Sequence, residues 1–365
     1  GSSLGIGSAL ATVPLARYVS QNGRRAGLTA AWTIAALGAV IILAGTIAEF
    51  YPLLPLGGTL LGVASAANYS ARYAAADLAD DAERAKAIGT LMWAITVGAV
   101  LGPTLALGIA ADFAELIGLP SLAGPYLLAI ALFAVAIAVI HKHLRPDPLE
   151  ISGHLGDSAS TPELKPAIHS IANSAPARLA TSAMVASHFV MVSVMSMTPL
   201  HMKDGSQALQ VIGFVISLHV LGMYGFAPFI GRIVDRVGPR IVIATGGVVL
   251  FAGAELVSRT AAADRTGLFV GLFAIGLGWS LGIISASSLL TGTFTGHERV
   301  MVQGAADFAM TATGATAGFA AGFVMQQWGF ASLSRYVALA GLALTLYAMS
   351  SYLRKDRSAP LKVPA

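Results

Sequence analysis

The stretch GRIVDRVGPR, residues 231–240, is a short basic loop between two apolar runs of the chain. A related stretch, ARYVSQNGRR, begins at Ala16, which is 215 positions earlier. A second pair of stretches, RAKAIG from Arg84 and RVMVQG from Arg299, is separated by the same 215 positions. Two pairs of stretches with one offset predict a chain that is built from a duplicated unit.

The composition predicts a protein embedded in a membrane. Of the 365 residues, 56% are apolar and 11% are charged, and the mean hydropathy is +0.74. A soluble domain carries about 25% charged residues, so an all-α membrane protein is expected. The net charge of +4 is not a sign of nucleic-acid binding, because the position of the cations matters more here. The absence of cysteine excludes disulfides, thiolate metal sites and thiol catalysis.

Eleven apolar segments are long enough to cross a bilayer, which takes about twenty residues. The connectors between them alternate between basic and weakly charged. Because basic connectors stay in the cytoplasm, this alternation predicts the orientation of every span. The predicted spans are residues 3–18, 27–48, 52–75, 86–110, 124–143, 177–201, 208–231, 239–258, 266–290, 301–325 and 331–353.

A polar, proline-rich stretch at residues 145–176 is predicted to be a cytoplasmic linker. It separates an N-terminal bundle of five spans, residues 1–144, from a C-terminal bundle of six spans with a short basic tail, residues 177–365. Aligning the repeats shows that the span without a counterpart is the first one of the C-terminal bundle. We therefore expect a twelve-helix protein of which this chain lacks the first helix.

The loop at residues 231–240 resembles the signature G-x-x-x-D-R-x-G-R-R/K of the major facilitator superfamily. The resemblance implies the major facilitator fold, in which two pseudo-symmetric six-helix bundles carry a solute across a bacterial cytoplasmic membrane by alternating access. It also implies gating roles for the matching residues, which are Gly231, Asp235, Arg236, Gly238 and Arg240. The aspartate of the signature can accept hydrogen bonds from the amides at a helix N-terminus and so hold one gating state. The first copy of the loop departs from the signature at Ala16, Ser20 and Gln21, so the resemblance does not imply such a contact there.

A second motif, Gly89-x8-Gly98-x3-Gly102-Pro103, resembles the fifth-helix pattern of proton antiporters in the same superfamily. Glycines at this spacing give a helix one smooth face, and a proline removes a backbone hydrogen bond and bends the helix. Gly98, Gly102 and Pro103 are therefore gating candidates, and close helix packing is the alternative explanation. The arginine that antiporters carry on the fourth helix is replaced by Gly58, which weakens the antiporter interpretation.

The stretch MVASHFVMVSVMSMTPLHM, residues 184–202, collects methionine and histidine on one helix face. At 100° per residue, five side chains fall within a stripe about 60° wide, namely Met184, His188, Met191, Met195 and Met202. The following span carries His219-x3-Met223, again on one face. Thioether sulfur favours Cu(I), and neutral imidazole also binds copper. The stripe is therefore a candidate substrate-binding surface.

Met191-x3-Met195 and His219-x3-Met223 resemble the M-x-x-x-M and H-x-x-x-M motifs of the CcoA-like copper importers of this superfamily. The resemblance implies copper ligation by these four residues, and Met184 and His188 extend the substrate-binding set. Copper would be the transported ion and not a resident cofactor. Two alternatives remain open. A methionine-rich wall can also contact a flat organic solute, and the resemblance implies riboflavin as an example, because some near relatives of the copper importers take it up. Drug efflux coupled to protons is the other alternative.

Ionisable residues inside predicted spans are candidates for coupling or gating, because a charge in the bilayer is costly. Asp307 is expected to carry a coupled proton or to pair with Arg299. Arg72 is expected to pair with Asp77 or to extend its charged end toward the cytoplasmic boundary, and gating is the alternative role of both residues. No paired carboxylates, nucleophile elbow or phosphate loop is found, so neither an enzyme activity nor a cofactor is predicted. The predicted function is solute transport by a lipid-embedded monomer, and the motifs favour copper uptake.

Overall fold

The computed structural model describes residues 2–153 and 164–358, and the regular elements in these ranges are helices. In chain order they are α1 (Ser2–Ile47), α2 (Leu53–Asp77), α3 (Arg84–Thr104), α4 (Ala110–Leu116), α5 (Gly124–His143), α6 (Pro148–Ile151), α7 (Leu164–Asn173), α8 (Ala175–Asp204), α9 (Leu209–Tyr224), α10 (Ala227–Val237), α11 (Pro239–Ser258), α12 (Arg265–Thr291) and α13 (Gly296–Ser358). A π-helical turn (Leu105–Ile109) joins α3 to α4, and a 3₁₀ turn (Ser121–Ala123) precedes α5.

Two of these helices are each a pair of helices joined at a glycine. α1 bends at Gly23, whose φ is +88°, and α13 bends at Gly329, whose φ is +78°. Gly238, which joins α10 to α11, has a φ of +89° and follows Gly23 at the repeat offset. Glycine adopts this backbone region without the strain that other residues would meet. Both copies of the basic loop have therefore kept the residue that makes the turn.

Eight helices in the described residues are long and apolar enough to cross a membrane. Because two of them are the bent helices α1 and α13, each of these supplies two spans, and α2 adds a further helix of 25 residues. The described residues therefore contain a helix at each of the eleven positions where the sequence predicts a span. The observed bounds of α5 and α11 equal the predicted ones, because a proline in the first turn marks the start of each helix.

The surface of the helices is apolar in the way that a bilayer requires. On α5, for example, Leu132, Val135 and Val139 lie on one face, and each of them is at least half exposed. In water a continuous face of this kind would drive association or aggregation. Against lipid it carries no such penalty, so the exposed surface agrees with the membrane placement that the composition predicts.

The predicted bend near Pro103 corresponds to an irregular stretch of backbone. α3 passes directly into the π-helical turn, and the Leu105 amide donates to the carbonyl groups of Leu101 and Gly102. A proline has no amide hydrogen to continue the α-helical ladder. A single π-helical turn is a common way for a helix to absorb such a break.

The two halves pack against each other through equivalent glycines. Gly89 on α3 lies against the Ala227 carbonyl of α10, and Gly304 on α13 lies against Ala16 on α1. Gly89 and Gly304 are separated by the repeat offset, and a Cβ atom at either position would collide with its neighbour. The contacts of α3 with α10 and of α1 with α13 are therefore one close-packing arrangement that is used twice.

The predicted linker begins with an aspartate that ties it to the first bundle. Asp147 accepts hydrogen bonds from the Arg24 and Arg25 amides at 3.1 and 2.8 Å and from the Leu149 amide at 3.0 Å. It thus joins the bend of α1 to the start of α6. The helices α6 and α7 lie within the predicted linker, and residues 154–163 are outside the described ranges. The division of the chain at residues 144 and 177 stays a prediction.

Candidate functional site

A cavity of about 410 Å³, called here the outer cavity, lies between the two halves. It is formed by α1 and α2 from the first half and by α8 and α13 from the second half. Its lining is uncharged and combines hydroxyl groups with rings and apolar side chains. The polar and ring residues that matter below are Ser8, Ser65, Tyr69, His188, Ser196 and Thr311.

A second cavity, of about 110 Å³ and called here the inner pocket, shares Ser65 and Tyr69 with the outer cavity. Its remaining walls come from α2, α3, α9 and α12 and include Asn68, Arg72 and Trp279. Small-molecule sites usually occupy roughly 300–1,000 Å³ and carry a few placed polar groups in an apolar lining. The two cavities, which share Ser65 and Tyr69 in their walls, therefore form the candidate binding site of the protein.

Four ring side chains, called here the aromatic wall, run along the two cavities. Ring centroids are 5.5 Å apart for Tyr224 and Trp279, 6.5 Å apart for Trp279 and His188, and 6.0 Å apart for His188 and Tyr69. Trp279 Nε1 donates to His188 Nδ1 at 3.2 Å. Because indole can only donate, Nδ1 of His188 is the acceptor, and Nε2 carries the proton of the neutral ring.

A buried ion pair joins the two halves beside the inner pocket. Arg72 on α2 pairs with Asp307 on α13, and their side chains are 2% and 4% exposed. Arg72 Nε also donates to Ser287 Oγ at 2.9 Å, and Nη2 donates to the Tyr73 hydroxyl at 3.0 Å. Arg72 and Ser287 are 215 positions apart and are therefore equivalent in the repeat. A contact between equivalent residues lies on the pseudo-two-fold axis, so the ion pair is central to the interface.

The buried ion pairs differ from those predicted. Arg72 does not pair with Asp77, which instead pairs with Arg24 at 2.8 Å. Residues five apart on a helix point about 140° apart, so Arg72 and Asp77 reach different neighbours. Asp307 pairs with Arg72 and not with Arg299, whose Nε donates to a backbone carbonyl at 2.8 Å. The predicted pairs Arg72–Asp77 and Arg299–Asp307 were therefore wrong. Both were inferred from spacing within one helix, whereas the observed partners come from different helices.

A second polar contact crosses the interface nearer the basic loops. Arg24, which is 1% exposed, donates to Gln303 Oε1 at 3.0 Å, and Gln303 Nε2 donates to Thr291 Oγ1 at 3.1 Å. A cavity of about 10 Å³ lies between this contact and Asp307. Such a volume is about what one water molecule needs. The buried polar groups of the interface thus extend from the inner pocket toward the basic face.

The signature loop closes the basic end of the interface on one side. The Asp235 carboxylate accepts the Ala85 and Lys86 amides at 3.0 and 2.9 Å and so caps the first turn of α3. A carboxylate at a helix N-terminus satisfies free amides and interacts favourably with the helix dipole. Ser20, the equivalent residue of the first half, donates to the Arg17 carbonyl of its own helix. The contact between Asp235 and the start of α3, called here the latch, is therefore made by the second copy of the loop and not by Ser20 in the first.

The other signature residues shape or flank this latch. Gly231 lets α10 approach the backbone of α3, where a Cβ atom would collide, and Gly238 makes the turn into α11. Arg236 is exposed at the end of α10, and Arg240 is partly buried at the start of α11. The structure thus brings Gly231 and Asp235 to the interface. It leaves Arg236 at the surface of the basic face.

The methionine stripe of α8 is turned aside from the outer cavity. The cavity is lined by the face of α8 that runs from His188 to Ser196, whose centre is about 70° from the centre of the stripe. Met184 is fully buried, Met191 is 8% exposed and Met195 is partly exposed. His188 is the member of the predicted stripe that lines this cavity.

The second predicted metal motif faces α12. His219 on α9 is 1% exposed, and its Nδ1 lies 2.7 Å from the Leu272 carbonyl of α12. Gly276 of α12 packs against the His219 backbone, and Met223 is buried one turn along α9. α12 packs on both α8 and α9, which touch each other little. Copper ligation by the two motifs stays a prediction. The described residues contain no group of three His, Cys, Asp or Glu side chains able to hold a metal.

The glycine face of α3 is open. A Cβ atom added at Gly98 or Gly102 would meet nothing within 4 Å among the described residues. Trp93, Val97 and Leu101, which lie on the same helix, are 47%, 50% and 51% exposed. Within the part of the chain that the structure describes, close packing therefore does not explain this portion of the motif. Gly89, the first glycine of the motif, is the one in close contact.

Comparison with known proteins identifies the family. The family model described as Major Facilitator Superfamily matches residues 1–210 and again residues 180–365. The chain belongs to the major facilitator superfamily. Its members are transporters and not enzymes, so the chain is a multi-pass membrane protein that carries a small solute.

Three named relatives are similar over most of the chain. In Bacillus subtilis, the uncharacterized MFS-type transporter YdeG is 33% identical over 93% of this chain and 79% of its own length. YddS, described in the same words, is 32% identical over 93% and 78%. The riboflavin transporter RfnT of Brucella anthropi is 28% identical over 91% and 81%. None of the three is named for copper, so they support the superfamily and not the narrower likeness to copper importers.

Solved structures share the fold at low sequence identity. The Escherichia coli fucose:proton symporter FucP matches with a TM-score of 0.74 at 14% identity, over 96% of this chain and 89% of FucP. The human organic anion transporter MFSD10 (TETRAN) matches with a TM-score of 0.73 at 16% identity, over 95% and 82%. At these identities the likeness concerns the fold alone. The predicted all-α major facilitator fold is confirmed.

Proposed function

We propose that the chain transports a flat organic solute with hydroxyl groups, for which riboflavin is the leading candidate. The carrying observation is the aromatic wall, which borders a cavity lined by serine and threonine hydroxyls. Planar rings pack well against aromatic side chains, and hydroxyl groups can both donate to and accept from a hydroxylated tail. The outer cavity, at about 410 Å³, has the size of a small-molecule site.

Two further observations favour an organic solute over the alternatives. The riboflavin transporter RfnT is 28% identical over 91% of this chain. For copper, the two motifs lie on helices that touch each other little, and His219 is turned to a carbonyl of α12. For drug efflux, Gly58 stands where antiporters carry an arginine. The organic-solute hypothesis therefore has the best support, with transport by alternating access across a bacterial cytoplasmic membrane.

We propose that Asp307 carries the proton that couples transport to an ion gradient. Its carboxylate is buried against Arg72 at the centre of the interface between the halves. Two charges in such a place are stable when they are paired, and removing one charge leaves the other without compensation. Protonation of Asp307 would therefore weaken the bond that holds the halves together, so proton binding and the movement of the halves would be linked.

We propose that the contacts near the basic loops are the gate on that face. Asp235 caps α3 across the interface, and Arg24 joins Asp77 to Gln303. With these contacts in place the halves meet at the basic end, and the outer cavity lies on the other side of the Arg72–Asp307 pair. By the positive-inside rule the basic face is cytoplasmic, so solute would enter this state from outside the cell.

We also propose that a further helix packs on the open glycine face of α3. In the second half, Gly314 of α13 lies against His188 of α8. The start of α13 corresponds to α3 in the repeat, but α8 has no counterpart among the described residues of the first half. A helix equivalent to α8 would therefore pack on α3 as α8 packs on α13. If the helix exists, Gly98→Leu lowers the melting temperature of a form extended at its N-terminus and leaves the 365-residue chain unchanged. Equal melting shifts in both forms would contradict the proposal.

The substrate proposal is tested by uptake into proteoliposomes. Purified full-length protein is reconstituted, and uptake of radiolabelled riboflavin and of Cu(I) is measured in parallel. We expect riboflavin uptake that falls at least about tenfold in His188→Ala, since a lost ring contact and hydrogen bond amount to roughly 1.4 kcal/mol or more. The matched control is His169→Ala, because His169 is exposed on α7. Copper uptake without riboflavin uptake would overturn the proposal in favour of the metal hypothesis.

A further inference from the structure

Arg72 is held by several partners and still has one nitrogen without any. Nε donates to Ser287 Oγ at 2.9 Å, and Nη2 donates to the Tyr73 hydroxyl at 3.0 Å and to Asp307. The guanidinium carbon lies 4.5 Å from the centre of the Tyr73 ring and 5.4 Å from that of Tyr69. These contacts fix the plane of the group. Nη1 is buried and has no hydrogen-bond partner among the described residues.

A buried donor without a partner needs an explanation. Leaving such a group unpaired costs roughly 1–3 kcal/mol, and more when the group is charged, so native proteins pair nearly all of them with protein, water or a ligand. Arg72 lines the inner pocket, and Asn68 and Tyr224 line it too. At about 110 Å³ the pocket has room for several water-sized groups. Arg72 therefore carries an unpartnered donor and is also one of the residues that line this pocket.

We propose that the inner pocket is an acceptor subsite, in which Arg72 Nη1 donates to a carbonyl or carboxylate oxygen at the edge of a planar solute. This inference rests on the proposed function and narrows its substrate class. The solute ring lies along the aromatic wall, and its hydroxylated tail lies in the outer cavity. The Asn68 amide oxygen can accept the N–H that adjoins the carbonyl of a cyclic imide. Hydrogen bonds from a guanidinium are stronger than neutral ones, so this contact orients the solute.

A cyclic imide fused to a flat ring system meets all of these requirements. Its carbonyl reaches the guanidinium, its ring N–H reaches Asn68, and its rings contact Trp279 and Tyr224. A planar molecule of the same size without a carbonyl would keep the ring contacts and lose the polar ones. The subsite therefore predicts discrimination between two ligands that differ in the acceptor and share the shape.

The test uses three probes with the full-length protein in lipid nanodiscs. Riboflavin has ring carbonyls and a hydroxylated chain, lumichrome has the ring carbonyls alone, and acridine is a flat three-ring molecule without a carbonyl. Dissociation constants are measured by calorimetry on the wild-type protein, which needs no substitution. We expect riboflavin and lumichrome to bind at least about tenfold more tightly than acridine. Equal affinities for lumichrome and acridine would overturn the subsite.

A pair of variants then assigns the discrimination to Arg72. Asp307→Asn serves as the background, and Arg72→Gln is added to it, so that no unpaired carboxylate remains in the double variant. Relative to this background, the second substitution is expected to weaken lumichrome binding about 10- to 100-fold, which corresponds to the loss of one hydrogen bond to a charged donor. Acridine affinity is expected to stay within about twofold. Melting curves of both variants confirm that they are folded.

The outcomes separate this inference from the function on which it rests. If the wild-type protein binds neither riboflavin nor lumichrome, the proposed function fails and the subsite fails with it. If lumichrome binds the wild type but has equal affinity for the background and the double variant, the function stands and the subsite is wrong. Nη1 of Arg72 would then be paired with an ordered water and would have a structural role alone.

Discussion

Removal of the Asp235 carboxylate should open the basic end of the interface. In Asp235→Ala, two amides at the start of α3 lose acceptors that now lie at 3.0 and 2.9 Å. Losing a helix cap of this kind costs about 0.5–2 kcal/mol, and the lost charge at the helix N-terminus adds about 0.3–1 kcal/mol. A net shift of about 1–2 kcal/mol raises the population with an open basic end about 5- to 30-fold.

The absence of native cysteine gives a direct assay for this opening. Ile88 on α3 is 0% exposed and lies one turn from the amides that Asp235 caps. A cysteine placed there by Ile88→Cys is expected to react with a membrane-impermeant maleimide on the basic face when the halves separate. We expect Asp235→Ala to raise the labelling rate in proportion to the open population. Because labelling is read at a single introduced thiol, other sites do not contribute.

The matched control is Asp264→Ala. Asp264 also caps a helix, since its carboxylate accepts the Gly267 amide at 3.1 Å, but donor and acceptor both belong to the start of α12. Its loss should cost similar local stability without changing the interface between the halves. An unchanged labelling rate in Asp235→Ala, or an equal rise in Asp264→Ala, would show that the latch does not hold the basic end closed.

Three further outcomes are expected. Trp279→Leu should weaken riboflavin binding, measured by calorimetry, roughly 3- to 10-fold, because a ring contact contributes about 0.5–1.5 kcal/mol. The control Trp328→Leu should leave riboflavin binding unchanged, because Trp328 is 56% exposed. Asp307→Asn should keep exchange of riboflavin across the membrane and lose accumulation driven by a pH gradient, as measured by counterflow and by gradient-driven uptake. Gly89→Ala should lower the melting temperature because its Cβ would collide with backbone, whereas Gly213→Ala, which meets open space, should raise stability by roughly 0.5–1 kcal/mol.

The fold could be predicted because its signals are local or periodic. The length of each apolar segment predicted the position of a span, and the charge of the connectors predicted the orientation of the spans. The single repeat offset predicted that the two halves are copies of one unit. The same offset relates Gly23 to Gly238 and Gly89 to Gly304, which make equivalent turns and equivalent contacts in the structure. These features depend on residue size and hydropathy, which the sequence states directly.

The site could be predicted only in part, because the sequence of a membrane helix does not show which of its faces lines the cavity. On α8 the methionine stripe is the conspicuous pattern, but the face that lines the cavity carries His188 and Ser196. Lipid-facing and cavity-facing sides can both be apolar, so polarity does not separate them. Tyr69 and Tyr224 were missed for this reason. The spacing of Tyr69 and Arg72, three positions apart on α2, was a usable signal, because it places a ring beside a buried cation.

The position of the central ion pair explains why the two halves diverged where they did. Residues that touch their own repeat equivalents lie on the pseudo-two-fold axis, and Arg72 touches Ser287. If both copies carried arginine at this position, two guanidinium groups would meet in a buried site, and like charges in a poorly polarisable environment repel strongly. A charge on the axis can therefore be kept in one copy, while its equivalent must be neutral. Asp307 is likewise charged in one copy alone, because its equivalent at the repeat offset is Met92. Packing could stay symmetric after duplication, whereas the charged centre had to become asymmetric.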